Sequence, residues 1–263
     1  MSLGFIIPSY CSEEQHIIKL KECIHSIRKY YKYNKIVIIN DDSPKEILFD
    51  DPNIIIEKSV VNGGADMTPY YLLYKNHYFD KALIIQDSMC INKKLENLDD
   101  IKTIKYLWYF TNHRVDWSTI KENQTEYNVK NNIKTHDDLI IDCIKKYCKN
   151  KDFQKYALDI YFQKDNWSGC FGTLSIIDYN FLKILEEKTG IIDTLLNFNT
   201  NRLRRVAESI FSLACKYILE EEVFETGYDG LYYDGKKTPK GRNNEYCCKK
   251  KYFSKISFNR KNT

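Results

Sequence analysis

The stretch Lys35–Pro44, KIVIINDDSP, joins a short run of β-branched residues to a cluster of polar ones. The apolar run is too short to span a membrane and too β-branched to favour a helix, so it predicts a strand buried on both faces. In open α/β sheets, ligands bind beyond the carboxyl ends of the strands. We therefore expect residues 40–43 to lie at a ligand site. A turn that merely ends the strand is the alternative, because Asp41, Asp42 and Ser43 are also common turn residues.

Strand and helix patterns alternate around this stretch. They predict strands over Leu3–Ile7, Asn53–Glu57 and Ala82–Gln86, a helix opened by a capping box of Ser12 and Gln15, and a helix capped by Thr68 and begun by Pro69. Such an order predicts an α/β fold with a mainly parallel, Rossmann-like sheet flanked by helices.

The second half of the sequence has a different organisation. Tyr106–Thr111 is a further candidate strand, and the aromatic and glycine-containing stretch Asn166–Ile177 is expected to run from a loop into a strand. Apolar periodicity predicts one helix from Asp178 to Gly190 and another from about Thr200 to Glu220. We find no internal repeat and no linker rich in Pro, Gly or Ser, which favours a single domain.

Composition narrows the class of protein. A chain of 263 residues with 43% hydrophobic residues can build a proper core. The N-terminus lacks the features of a signal peptide, and no apolar run approaches the length of a membrane span, so neither secretion nor a membrane span is expected. Nine cysteines without CxxC pairs suggest free thiols in a reducing compartment, which predicts a cytoplasmic protein.

Positive charge is concentrated at the C-terminus. The whole chain carries a net charge of +4, whereas residues 236–263 alone carry +9, which leaves −5 for residues 1–235. A solvated, disordered tail is the simpler interpretation of such a charge run. Four aromatic residues are interleaved with the cations, and they favour a tail that folds back and offers positive charge to an anionic ligand. They are Tyr246, Tyr252, Phe253 and Phe258.

Three segments together resemble a known family. GFIIPSYCSE, KIVIINDDSP and KALIIQDSMC are similar, in order and spacing, to the N-terminal half of GT-A type nucleotide-sugar glycosyltransferases, especially the family 2 group. The resemblance covers roughly the first 95 residues. It implies a GT-A domain over residues 1–235, with a nucleotide-binding half (1–95) and an acceptor half (96–235), followed by the basic tail (236–263).

The resemblance also assigns the nucleotide site. Asp42 matches the carboxylate that hydrogen-bonds the pyrimidine ring, and Pro8, Ser9 and Tyr10 match the loop on the other side of the base. Asp87 matches the first acid of the DxD-like motif that meets the diphosphate. These roles agree with simple chemistry, because a uracil N–H can donate to a carboxylate and an aromatic ring can stack on the base.

The metal site departs from the family pattern. Asp87 is the implied ligand of Mn²⁺ or Mg²⁺, but the position two residues later is Met89, a thioether that suits neither ion. The alternative interpretation is that Asp87 only ends the strand. The resemblance therefore implies a Mn²⁺ or Mg²⁺ site, but the DxD-like motif that would form it is degenerate in this sequence.

Acceptor and catalytic candidates come from the second half. Trp167, Gly169 and Phe171 are expected to bind the acceptor, because sugars stack on aromatic rings and glycine lets backbone groups approach closely. A purely structural core role for the aromatic residues is equally compatible with the sequence. The family's catalytic carboxylate is assigned to Glu208, with Asp165 as second choice. An exposed helix residue paired with Arg204 is the alternative for Glu208.

These assignments predict a hexosyltransferase-like enzyme. It would move a sugar from a nucleoside diphosphate sugar, with a UDP-sugar as the expected donor, to a hydroxyl of a glycan or another acceptor. A GT-A domain that binds nucleotide sugars without catalysis is the first alternative. A nucleic-acid-binding protein is disfavoured by the acidic strand ends, and a dehydrogenase by the lack of GxGxxG after the first strand.

Overall fold

The computed structural model describes residues 2–64, 66–111, 136–163, 166–219, 231–233 and 253–255. The strands are β1 (Leu3–Ser9), β2 (Ile36–Asn40), β3 (Ile54–Lys58), β4 (Lys81–Ile84), β5 (Met89–Ile91), β6 (Ile104–Tyr106), β7 (Trp108–Thr111), β8 (Ser168–Cys170), β9 (Ser175–Asp178), β10 (Leu231–Tyr233) and β11 (Phe253–Lys255). The helices are α1 (Glu14–Tyr30), α2 (Thr68–Asn76), α3 (His136–Tyr147), α4 (Lys151–Tyr161), α5 (Tyr179–Thr189), α6 (Ile191–Leu195) and α7 (Asn201–Leu219).

A six-stranded sheet of order β3-β2-β1-β4-β9-β6 forms the centre of the fold. Strands β1 to β4 pair in parallel, whereas β9 runs antiparallel to both β4 and β6. Parallel pairing brings the carboxyl ends of β1, β2 and β4 to the same edge. The predicted fold class, a mainly parallel α/β sheet flanked by helices, is confirmed.

Strand β2, which comes from the stretch Lys35–Pro44, is buried on both faces, as its sequence predicts. Val37 and Ile39 join one core cluster with α2 and the helices of the second half, whereas Ile36 and Ile38 join a second cluster with α1. All four side chains are fully buried. Alternate side chains of one strand therefore hold helices on opposite faces of the sheet.

Helix ends were predicted with mixed success. Asp178 caps α5 by accepting a hydrogen bond from the Asn180 backbone N–H, and Gly190 ends that helix in the left-handed conformation, as expected. The capping box at Ser12 is wrong, because the N-cap of α1 is Glu13, which makes no side-chain capping bond. Thr68 is the first helical residue of α2 rather than its cap, since its hydroxyl donates to the Gly64 carbonyl within the preceding turn.

Part of the basic tail belongs to the folded structure. Strand β11 pairs antiparallel with β5, and Phe253 is only 2% exposed within the α1 side of the core. The other residues of 236–263 lie outside the described ranges, and the predicted domain boundary at residue 235 stays a prediction. Within the described ranges, no helix combines the length and apolar character needed to cross a membrane.

Candidate functional site

A cavity of about 390 Å³ opens at the carboxyl ends of β1, β2 and β4. One side of it, here called the strand-end side, consists of residues 8–10, 41 and 86–88. A second group of residues, here called the helix side, consists of the turn Phe171–Thr173 and residues 204–208 of α7, which the hydrogen bond between Gly172 and Glu208 joins. Of the helix side, Arg204 lines the cavity directly, together with Asp66 from the loop before α2.

Hydrogen bonds hold the strand-end side together. The Ser9 hydroxyl donates to Asp87 Oδ2 at 2.8 Å, and the Asp41 backbone N–H donates to the Ser9 carbonyl at 3.0 Å. Ser9 is 2% exposed, and its bond to Asp87 is partly buried. Ser9 thereby ties the ends of β2 and β4 to its own strand, and the predicted residues Pro8, Ser9 and Asp87 all lie at the cavity.

Tyr10 lies at the mouth of the same cavity. It is the first residue after β1, and its side chain is 53% exposed. A large ring at this position has an accessible face for a planar ligand group. The structure therefore brings Tyr10 next to the strand ends where the sequence placed it.

The two adjacent aspartates after β2 differ in environment. Asp41 is 6% exposed, lines the cavity and accepts the Gly63 backbone N–H through Oδ1 at 3.0 Å. Asp42 has φ of +60°, is exposed, and accepts a hydrogen bond from the Asn62 side chain at 3.2 Å. Aspartate tolerates the left-handed region better than most residues. Asp42 is thus the turn residue outside the cavity lining, and Asp41 is the cavity carboxylate.

Asp66 and Arg204 form an ion pair that the sequence analysis did not assign to the site. Arg204 Nη1 lies 3.2 Å from Asp66 Oδ2, and both side chains are 28% exposed. Burial raises the pKa of the Asp66 carboxyl, and Arg204 acts in the opposite direction. The only sequence signal was the Arg-rich start of α7, because residue 66 lies far from residue 204 in the chain.

Glu208 lies one helical turn after Arg204 and is fixed by the turn 171–173. Its Oε1 accepts the Gly172 backbone N–H at 2.9 Å. Burial raises the pKa of Glu208 to about 8, and the hydrogen bond from Gly172 opposes that rise only in part. Glu208 does not itself line the cavity, but its carboxyl has the elevated proton affinity of a general base near neutral pH.

The turn 171–173 has an unusual backbone. Gly172 and Thr173 both have positive φ, +60° and +58°, which is rare for a β-branched residue such as threonine. The Thr173 hydroxyl is 2.5 Å from the Asp66 carbonyl oxygen, which accepts its hydrogen bond. Strained backbone of this kind occurs preferentially at functional sites. The turn connects the loop of Asp66 to the helix of Glu208.

The acceptor candidates lie near the turn but not in the cavity lining. Trp167 is 2% exposed, and its indole N–H donates to the Tyr161 carbonyl, whereas Gly169 is buried in β8. Phe171 is partly buried and packs against Trp108 at 5.9 Å between ring centroids. Their acceptor role stays a prediction. Asp165, the second catalytic candidate, lies outside the described residues.

The site does not fit a preformed divalent metal centre. Asp87 faces the cavity, but Met89 belongs to β5 and is fully buried in the core. Among the residues that the structure describes, no group of three or more His, Cys, Asp or Glu side chains could hold a metal ion. Met89 stands where the family pattern has a second carboxylate, and its side chain lies in the core and not in the cavity lining.

Comparison with known proteins gives structural neighbours only. No protein-family model and no curated protein matches the chain. TarS from S. aureus is 23% identical over 38% of this chain and 18% of its own length, with a TM-score of 0.30. The mannosyltransferase Ktr4p from S. cerevisiae is 9% identical over 81% of this chain and 65% of its own, with a TM-score of 0.43.

A further neighbour is core-mannan synthase A from Aspergillus fumigatus in its Mn/GDP form. It is 10% identical over 81% of this chain and 69% of its own, with a TM-score of 0.43. TarS has also been solved with UDP and with UDP-GlcNAc. With TM-scores below 0.5, function has to be argued from the chain's own cavity.

Proposed function

We propose that this chain is a glycosyltransferase that uses a nucleoside diphosphate sugar, in particular a UDP-sugar, and an acceptor hydroxyl of a glycan or similar molecule. The observation that carries this proposal is the cavity at the carboxyl ends of β1, β2 and β4, which combines Tyr10, Asp41, Asp87 and Arg204. These residues supply a stacking face, two carboxylates and a cation within one space.

The nucleotide base is proposed to bind at Tyr10 and Asp41. Tyr10 offers its exposed ring for stacking. One oxygen of Asp41 already accepts the Gly63 N–H, so its other oxygen is the acceptor for the N–H of a uracil ring. Asp42, the residue chosen from the sequence, would take part only from outside the cavity lining.

The diphosphate is proposed to meet Arg204. Carboxylates alone would repel a diphosphate, but the cavity also has Arg204 and Lys19 among its lining residues. A guanidinium can bind phosphate oxygens in a bidentate manner and can stabilise the charge that develops on the leaving group. Arg204 would then be shared between the diphosphate and Asp66.

A divalent ion is proposed to bind only in the company of the nucleotide. One carboxylate, Asp87, is too few ligands for Mn²⁺ or Mg²⁺ unless substrate phosphates complete the shell. We expect equilibrium dialysis to show weak Mn²⁺ binding to the nucleotide-free protein and stronger binding after UDP is added. Tight binding without UDP would mean that the ligands around Asp87 are misassigned.

The chemical step assigns Glu208 as general base. In a direct displacement, the acceptor oxygen forms a bond to the anomeric carbon of the sugar while the bond from that carbon to the diphosphate oxygen breaks. The acceptor proton passes to Glu208, and the nucleoside diphosphate leaves with the electron pair of the broken bond. A carboxylate with a pKa raised to about 8 is well matched to accept this proton.

Calorimetry with UDP and GDP tests the binding part of the proposal. Arg204→Met keeps the aliphatic stem but removes the cation, so affinity for the diphosphate should fall by roughly 10- to 100-fold. Arg202→Met, an exposed residue of the same helix, is the matched control and should retain wild-type affinity. If the wild type binds neither nucleotide, or if both variants bind equally well, the proposed site is wrong.

A further inference from the structure

We infer that Gln86 positions the donor sugar, with its side-chain amide hydrogen-bonded to a sugar hydroxyl. Gln86 follows β4, lines the cavity and immediately precedes Asp87. The inference rests on the proposed function and goes beyond it by naming the residue that distinguishes a nucleotide sugar from the nucleotide alone. The juxtaposition of Gln86, Gly172 and Glu208 carries it.

The backbone of Gln86 is held firmly in place. Its carbonyl oxygen accepts the Met89 N–H at 3.1 Å and the Cys23 thiol at 3.7 Å. The next residue, Asp87, is fixed by the hydroxyl of Ser9. Because the Gln86 carbonyl and the neighbouring Asp87 are both hydrogen-bonded, the Cα atom of Gln86 has a fixed position at the edge of the cavity.

Gly172 allows the Gln86 amide to reach the helix side. A Cβ atom built at Gly172 would lie 2.9 Å from Gln86 Nε2, closer than real Cβ atoms come to a neighbour. The φ of +60° at Gly172 is a second, independent reason for glycine at this position. The missing side chain of Gly172 therefore makes room for the amide of Gln86.

Glu208 is hydrogen-bonded to the same glycine. The Gly172 N–H donates to Glu208 Oε1 at 2.9 Å, so the residue whose missing side chain leaves room for the Gln86 amide also binds the proposed base. The sugar must lie between the diphosphate near Asp87 and the base Glu208. Its anomeric carbon is bonded to the diphosphate, and the acceptor oxygen that attacks this carbon gives its proton to Glu208. Gln86 is located at this junction.

The chemistry of an amide suits a sugar hydroxyl. Within the part of the chain that the structure describes, no hydrogen bond engages the Gln86 side chain, although the residue is partly buried. A side-chain amide has both donors and an acceptor, and burying it without a hydrogen-bond partner costs free energy. A hydroxyl can donate and accept at once, whereas a phosphate offers only acceptors.

The test compares nucleotide sugars with the bare nucleotide. Calorimetry measures the affinities of UDP, UDP-glucose and UDP-N-acetylglucosamine for wild type, Gln86→Leu and the exposed control Gln15→Leu. Leucine approximates the volume of glutamine but cannot hydrogen-bond. We expect Gln86→Leu to bind UDP as the wild type does and to lose about tenfold in affinity for the preferred nucleotide sugar. Gln15→Leu should leave all three affinities unchanged.

The outcomes separate this inference from the proposed function. If the wild type binds neither UDP nor a UDP-sugar, the proposed function fails. If the wild type prefers a UDP-sugar to UDP, and Gln86→Leu keeps that full preference, only the role of Gln86 is overturned. An equal loss of UDP and UDP-sugar affinity in Gln86→Leu would also overturn it, because the residue would then act on the nucleotide or on the fold.

Discussion

The strand-end side and the helix side of the cavity are built in different ways. On the strand-end side, each buried strand is followed directly by its polar residues, so position in the sequence and position in the cavity coincide. On the helix side, Arg204 and Glu208 sit on one helix at a spacing of four, which is also the spacing of an ordinary exposed ion pair. Their role depends on the turn 171–173 and on Asp66, which reach them only through the fold.

The comparison suggests that half of the site is local and half is assembled by packing. It would be sharpened if the strand-end side proved to depend on a distant segment for its stability, and it would be broken if the helix side could be altered without effect. Three variant sets examine these points, from the largest expected effect to the smallest, and a kinetic measurement then examines the two sides together.

The largest expected effect concerns the dependence of the strand-end side on the C-terminus. Phe253 of β11 is buried beside β5, the strand that continues from Asp87 and Ser88. Phe253→Ala should lower the free energy of unfolding by about 3–5 kcal/mol, through the lost contacts and the cavity left behind. Denaturant unfolding measures this, with the 59% exposed Phe162 changed to Ala as control, for which about 0.5 kcal/mol is expected.

A loss as small as that of the control would mean that the first half of the chain does not need β11. It would make the strand-end side local in its stability as well as in its sequence.

The next effect distinguishes the two aspartates after β2. Asp41→Asn keeps an oxygen for the Gly63 N–H but weakens acceptance from the base, so UDP affinity should fall by about 1–3 kcal/mol. Asp42→Asn changes an exposed turn residue with a φ of +60°. Asparagine also tolerates this left-handed conformation, so the effect on UDP affinity should be small. Calorimetry that finds the larger loss at Asp42 would restore the assignment made from the sequence.

These aspartates show what the sequence could and could not predict. The strand and its burial on both faces follow from residue types alone, and both are confirmed. Which of two identical neighbours lines the cavity depends on the local backbone, where Asp42 has a φ of +60°, and residue type does not determine that conformation.

The helix side shows a second limit. Glu208 could be proposed from a family resemblance, but its elevated pKa arises from burial, which the hydrogen bond from the Gly172 N–H opposes only in part, and both are properties of the packed structure. Strand β11 was missed for a similar reason, since its partner β5 lies more than 160 residues earlier in the chain. Three-residue strands leave little periodicity to detect, whereas the longer helices α5 and α7 were predicted from theirs.

The smallest expected effect concerns the charge of the tail. Residues 236–263 carry a net charge of +9, and residues 253–255 among them form β11, which pairs with the strand that follows Asp87. Replacing Lys249, Lys250 and Lys251 together by Gln should weaken UDP binding by roughly two- to fivefold at low ionic strength and less at high salt, where charges are screened. This substitution avoids Phe253 and so leaves the buried anchor in place.

Equal UDP affinity with and without these three charges at low salt would indicate that the tail contributes through β11 alone.

The most direct test of the account measures turnover by wild type and Glu208→Gln with the preferred nucleotide sugar. Because burial raises the pKa of Glu208 to about 8, kcat/KM of the wild type should rise with pH and level off above about 8. Glu208→Gln, which cannot accept the proton, should lose that rise and about a hundredfold or more in kcat while still binding the donor. Glu187→Gln, on the exposed face of α5, should behave as the wild type. Sugar transfer by Glu208→Gln at the wild-type rate, with an unchanged pH profile, would contradict the claim that the helix side performs the chemistry.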